Sequence, residues 1–296
     1  MSSPRRPVAV QVTARVPHRM WWREALVLVG LYFVYTFVRS TFGDDPTVAV
    51  RHGLDILHAE TWLHIDFERS LNYWLSDIPV LAVPACYAYA SLHYVVTGGT
   101  LVWLFLKRPA RYAVARSTLV VTTLLGLVGF ALVPTAPPRM IDNSWIDTMD
   151  RYQAWGWWSS AASVPKGLGG MTDQFAAMPS LHCAWALWCG WLICRHARRT
   201  PIRALGVAYP VLIGFVVMAT ANHYLLDVVA GVAVVALAGV VAAAFSYAGS
   251  DADHQRLTVP EQPRPAPVRQ LPDPQPANRA AGTGADGGSS NAINRR

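Results

Sequence analysis

The chain has 296 residues, of which 53% are hydrophobic and only 15% charged. Apolar residues in long unbroken blocks exclude an ordinary soluble domain and point to a membrane protein. A formal net charge of +7 would suit a nucleic-acid binder, but the basic residues sit in the connections between apolar blocks, which excludes that class.

A hydrocarbon core about 30 Å thick needs about 20 apolar residues of helix. In chain order, the basic segment 1–20 leads into a first such stretch at 21–42. It is long and no Ala-x-Ala-like site follows Ser40, so it is expected to stay as an anchor. Further spans are expected at 79–106, 112–134, 177–195, 204–222 and 223–246, from continuous apolarity rather than one-sided periodicity. Positive charge accumulates in short cytoplasmic loops. Of 25 Lys and Arg, only Arg39, Arg51, Arg69, Arg139, Arg151 and Lys166 fall in the alternate connections. The expected fold is all-α: a polytopic bundle of six transmembrane helices within 21–248, both termini cytoplasmic, set in the cell membrane. The tail 249–296, rich in Pro and then in Gly, Ala, Ser and Asn, is expected to be disordered.

Two outer segments are long. In 43–78, Ile56, Leu57, Trp62, Leu63, Ile65, Phe67, Leu71 and Trp74 interleave with Asp55, Glu60, Asp66, Glu68 and Arg69, as in an amphipathic surface helix. The outer loop 135–176 holds Trp145, Trp155, Trp157 and Trp158; with Trp62 and Trp74 these read as an interfacial belt, or the cluster Trp155, Trp157 and Trp158 as an aromatic platform for a headgroup or sugar. Cys86, Cys183, Cys189 and Cys194 lie in apolar stretches and read as small buried side chains. No paired Cys/His or H-E-x-x-H spacing implies a metal, and no cofactor is implied. Asp44 with Asp45, or Asp142 with Asp147, reads as solvated loop charge before it reads as a cation site. His93, within the second span, reads as an imidazole bonded across the bundle or as a headgroup contact.

Three short segments fall at the same, outer face: Pro134 to Arg139, Met178 to His182, and Asn222 to Asp227. Pro179 suits a first helical turn and Ser180 a helix cap. The free amides of the helix start then form an anion site for a phosphate, and the same is expected where Asn222 caps the sixth span. His223 and Asp227 are four residues apart, so the carboxylate can fix one imidazole tautomer and leave the other nitrogen a lone-pair donor. His182 supplies a second imidazole for proton transfer, and Arg139 a permanent cation for phosphoryl oxygens. A lone interfacial histidine is more often an anchor than a catalyst, but two with an Asp and an Arg favour catalysis.

These residues resemble the type 2 phosphatidic acid phosphatase superfamily, with its basic first motif, Pro-Ser-x-His second and His-x-x-x-Asp third. Pro134 to Arg139, Ala177 to His182, Asn222 to Asp227, Asp147-Thr148 and Arg108-Pro109 to Arg116 are most similar to its inositol phosphorylceramide synthase-like branch. The resemblance implies a metal-independent enzyme in which His223 attacks phosphorus and forms a phosphohistidine. Asp227 would orient it, His182 would protonate the leaving oxygen, and Arg139 and Ser180 would hold the phosphoryl group. The implied function is a lipid phosphoesterase or phosphotransferase at the extracytoplasmic face, acting on a phospholipid or polyprenyl-type lipid phosphate. The alternatives are inositolphosphotransferase-type headgroup transfer to a lipid or glycan, and a non-catalytic lipid-binding or transport protein. Leu132 and Val217 stand where the superfamily places a Lys and an Arg, and Met140 where it places a Pro. Arg151 or Lys166 could replace the missing cations, with Asn222 and His93 as further substrate contacts.

Overall fold

The computed structural model describes residues 45–159, 162–165 and 174–258, together with Trp22, Leu26, Val27, Val29, Gly30, Phe33, Val34 and Phe37. Those eight are helical; the rest of the expected span 21–42 lies outside the described residues. The chain divides into two units, Met1–Ala252 and Asp253–Arg296. Of the second, the described residues are 253–258, which are helical.

The outer segment forms two helices rather than one. Helix α1, Pro46–Trp62, starts where the Asp45 carboxylate accepts the Thr47 N–H at 2.9 Å and Pro46 fills the first turn. Helix α2 is Glu68–Ser76. Two acids of the segment, Glu60 and Glu68, are buried while Asp55, Asp66 and Arg69 stay exposed, and Trp62, Leu63, Phe67, Tyr73 and Trp74 are exposed apolar side chains. Helix α3, Pro79–Tyr87, continues through a π turn at Ala88–Leu92 into α4, His93–Lys107. Helix α5, Pro109–Leu132, begins and ends before the expected 112–134. Pro109 suits the first turn, and the ring of Pro134 drives Val133 out of the helical region to φ −134°.

The loop that follows carries α6, Thr148–Arg151, and a hairpin of β1, Trp158–Ser159, and β2, Ala162–Pro165. This hairpin is the only sheet among the described residues of an otherwise all-helical fold. The tryptophans divide. Trp155 and Trp157 are exposed, but Trp145 and Trp158 are core residues and belong to no belt. The Trp158 indole donates to the Met149 carbonyl at 2.9 Å and meets Tyr87 edge-on. Cys86, Cys183 and Cys189 are buried and free.

Helix α7, Leu181–His196, is shorter than the expected span 177–195, because Ser180 is the cap and Pro179 precedes the helix instead of filling its first turn. At 1.5 Å per residue its 16 residues reach about 24 Å. Helix α8, Thr200–Ala219, starts early on Pro201. Helix α9, Leu225–Thr258, starts two residues after the expected 223 and continues past 248. Residues 249–258 are therefore helical rather than disordered, since no Pro interrupts them before Pro260; 259–296 lie outside the described residues. Among the described residues four helical segments are long and apolar enough to cross a membrane: Pro79–Lys107, Pro109–Leu132, Thr200–Ala219 and Leu225–Ala244.

The Arg108 guanidinium donates to the His196 carbonyl at 3.2 Å and joins the α4–α5 and α7–α8 turns at one end. The three motif segments gather at the other. There the absence of a side chain at Gly231 on α9 admits the Ser180 carbonyl, which any Cβ would strike. Gly231→Ala is expected to cost about 1–3 kcal/mol through overpacking. Thermal unfolding in detergent checks this, with Gly239→Ala, whose Cβ would meet nothing within 4 Å, expected to unfold like the wild type.

Candidate active site

Main-chain bonds tie the three motif segments together. The Thr135 N–H donates to Phe175 O at 2.7 Å, and Thr135 O accepts the Ala177 N–H at 3.2 Å. The Arg139 N–H donates to Ala221 O at 3.1 Å and the Ser180 N–H to Asp227 O at 3.0 Å. The Ala136 N–H donates to Ala49 O on α1 at 3.0 Å. Ala221 carries φ 57°, a left-handed conformation that costs a non-glycine residue about 1–2 kcal/mol. It reverses the chain between α8 and α9.

His223 is buried, with Nδ1 2.8 Å from the Ala177 carbonyl and 3.4 Å from Asp227 Oδ2. The nearer acceptor is the carbonyl, so Nδ1 carries the hydrogen and Nε2 keeps the lone pair. Asp227 Oδ2 accepts the Tyr224 N–H at 2.9 Å and faces His223 as a second, electrostatic partner. His182, in the first turn of α7, has its ring centroid 5.8 Å from that of His223. It stacks on Tyr89 at 4.7 Å and meets His93 at 4.3 Å. His93 follows the π turn directly; such an insertion shifts the helical register at functional sites. His93 is thus placed beside His182, buried, and not at the surface.

The side chain of Arg139 is nearly buried, bonded through Nη1 to Asn222 Oδ1, with Nε 3.6 Å from Asp147 Oδ2. Asn222 is not the cap of α9. Its amide donates to Thr220 O and Oγ1 at 3.2 and 2.8 Å while its oxygen takes Arg139. The helix opens later because Asp227 reaches back to the Tyr224 N–H. Asp147 is half-buried and has protein partners: it caps α6 by accepting the Asp150 N–H at 3.0 Å and pairs with Arg139. Burial pushes its carboxyl up, against the opposing pull of Arg139.

Ser180 caps α7, its Oγ accepting the Cys183 N–H at 3.4 Å. The first intrahelical bond of α7 is made by Ala184, so the amides of Leu181 and His182 come before the ladder, as an anion cradle requires. The start of α9 is different from the expectation. The amides of Tyr224, Leu225 and Leu226 are taken by Asp227, Glu68 and Glu60, so this end holds carboxyl groups of the protein and offers no anion site. The Arg151 side chain is bonded to Asp77 at 3.2 Å on the surface. Lys166 lies outside the described residues.

The gathered segments span α1 to α9, and the family model described as the PAP2 superfamily matches residues 54–241, most of the chain. The chain belongs to the PAP2 superfamily. Membership and the apolar helices fit a membrane protein of phosphatase type. No curated protein and no solved structure matches significantly. At the two positions where this PAP2 chain lacks the superfamily's cations, Leu132 is exposed at the end of α5 and Val217 is fully buried in α8.

Reading the sequence missed Glu60, Glu68 and Asn72. The first had a signal: Ala49, Gly53, Ile56 and Glu60 form one buried stripe at helical spacing. Asn72 had none. Its amide donates to Ile146 O, Thr148 Oγ1 and Ala219 O at 3.0, 3.1 and 2.9 Å, and its oxygen accepts the Ile146 N–H at 2.9 Å. Asn72→Leu takes a partner from Ala219 O and from the Ile146 N–H and O, while Thr148 Oγ1 keeps Ser76 Oγ at 2.7 Å; each buried group left unpaired costs about 1–3 kcal/mol. A loss of about 3 kcal/mol or more is expected, measured by thermal unfolding in detergent against the wild type.

Proposed function

We propose that this PAP2-superfamily protein cleaves or transfers a phosphoester of a lipid at the extracytoplasmic leaflet through a phosphohistidine on His223. The observation that carries the reading is the neighbourhood of His223: Nδ1 held by the Ala177 carbonyl, His182 5.8 Å away between ring centroids, and Arg139 bonded to the adjacent Asn222. The Nε2 lone pair attacks phosphorus and the P–N bond forms as the P–O ester bond breaks. His182 gives the leaving oxygen its proton. Asp227 stabilises the phosphoimidazolium, and Arg139, Ser180 and the first amides of α7 receive the phosphoryl oxygens. Water or an alcohol then attacks, returning a proton to His182 and breaking the P–N bond. No step drawn on these residues calls for a metal ion.

The reading includes six spans, with 21–42 and α7 added to the four long helices, and both termini in the cytoplasm. The Arg108 to His196 bond supports it, because it joins two basic connections at one end, opposite the site. Lipid enters laterally between the spans. The exposed aromatics of α1 and α2 suit the bilayer interface.

A second reading, headgroup transfer as in the inositol phosphorylceramide synthase-like branch, is favoured by the charge of the site. The three motif segments contain one permanent cation, Arg139, and Asp147 stands beside it. Such a site matches a singly charged phosphodiester better than a doubly charged phosphomonoester.

Purified protein incubated with lipid labelled in its phosphate and quenched in base is expected to carry acid-labile label on His223. His223→Ala should carry none, and absence of label from every phosphomonoester and phosphodiester lipid tried overturns the reading. His182→Gln is expected to lower kcat by about 10²- to 10⁴-fold, measured as steady-state release of the labelled headgroup or phosphate.

A further inference from the structure

Glu60 on α1 and Glu68 on α2 are 0% and 1% exposed. Glu68 Oε1 accepts the Leu225 N–H and Glu60 Oε1 the Leu226 N–H, each at 2.7 Å. The two side chains thus hold successive amides of one helix start, and each Oε2 is buried without a donor among the described residues. Carboxylate oxygens only accept, so a hydrogen bond between two of them requires a proton. Asp227 adds a third carboxyl at the same helix start, with Oδ1 likewise without a donor. Among the described residues, no Lys or Arg forms an ion pair with any of the three. Like charges crowded in a site of low dielectric do not all ionise.

We propose that Glu60 and Glu68 share one proton, and that this acid–carboxylate pair is a positioning element that holds the start of α9, and with it His223 and Asp227. The inference rests on the reading above only for the chemistry His223 performs. With one proton the pair carries a single charge, set against two amides. With none, the two outer oxygens repel each other and Asp227. The titratable groups whose fields meet here are Glu68 from α2, Asp227 and Tyr224 at the start of α9, and Asp142 from the outer loop. These are all acids; the base beside them, His223, has Nδ1 3.4 Å from Asp227 Oδ2 and 2.8 Å from the Ala177 carbonyl, and it forms no ion pair with either glutamate.

Burial, with the neighbouring acids, pushes Glu60 up from 4.5 to about 8. In the folded chain Glu60 therefore keeps its proton over a range in which the unfolded chain has lost it. Stability from the pair is full below the unfolded value and is lost as pH rises through about 8.

The test uses the full chain in lipid nanodiscs and two readouts that do not need turnover. Difference infrared spectra at neutral pH are expected to show a protonated-carboxyl C=O band that fades as pH rises through about 8 and is missing from both Glu60→Gln and Glu68→Gln. Carbethoxylation of His223 by diethylpyrocarbonate, followed by mass spectrometry, is expected to change several-fold in rate across the same pH step. The step should vanish in either variant that unfolds cooperatively. Absence of the band in the wild type, its survival in both variants, or an unchanged pH step in a folded variant overturns the proposal. The infrared measurement on the wild type decides the matter even if both variants misfold. A wild type that never acquires phosphate label on His223 would refute the catalytic reading and leave the shared proton untouched.

Discussion

Helix α9 begins inside the protein, and that placement constrains everything around it. The first amides of a helix have no partners within it, and this one starts between the buried Tyr224 and Asp227. Three carboxyls supply acceptors for three successive amides, one from the helix itself and one each from α1 and α2. The outer segment is therefore committed to lie against the helix that carries Asp227, with Glu60 and Glu68 turned inward and Trp62, Phe67 and Trp74 exposed.

The second constraint is the main chain. Loop residues 135–139, the approach to α7 and the turn into α9 are cross-linked by backbone hydrogen bonds. Close approach is possible because Gly231 leaves room for the Ser180 carbonyl, and because Ala221 accepts a left-handed conformation to reverse the chain. Side chains then project from a frame that is already set: His223 against the Ala177 carbonyl, His182 between Tyr89 and the His223 ring, Arg139 between Asn222 and Asp147.

Much of this is legible in the amino-acid sequence, and the reason is physical. Continuous apolarity marks a membrane-length helix whatever its neighbours, and prolines mark its ends, so the helices at 79–107, 109–132 and 200–219 differ from expectation by a few residues at most. The cap at Ser180 and the proximity of His182, His223, Asp227 and Arg139 follow from local spacing and topology. What depends on tertiary partners is not legible. Asn222 looks like a cap and serves instead as the bridge to Arg139. Asp147 looks like loop charge and is that arginine's counterion. Glu60 and Glu68 look like the wet side of a surface helix, because nothing local says that another helix will end against them. The start of α9 looks open to an anion for the same reason.

The joints that hold the motif segments together are peptide groups, and a peptide group is the same whichever residue carries it. The scaffold is therefore indifferent to much of the chemistry mounted on it. A cation can be exchanged for an aliphatic side chain, as at Leu132 and Val217, without undoing a single cross-link of the frame. Selectivity for the charge and size of a headgroup is free to drift while the architecture that presents the two imidazoles persists.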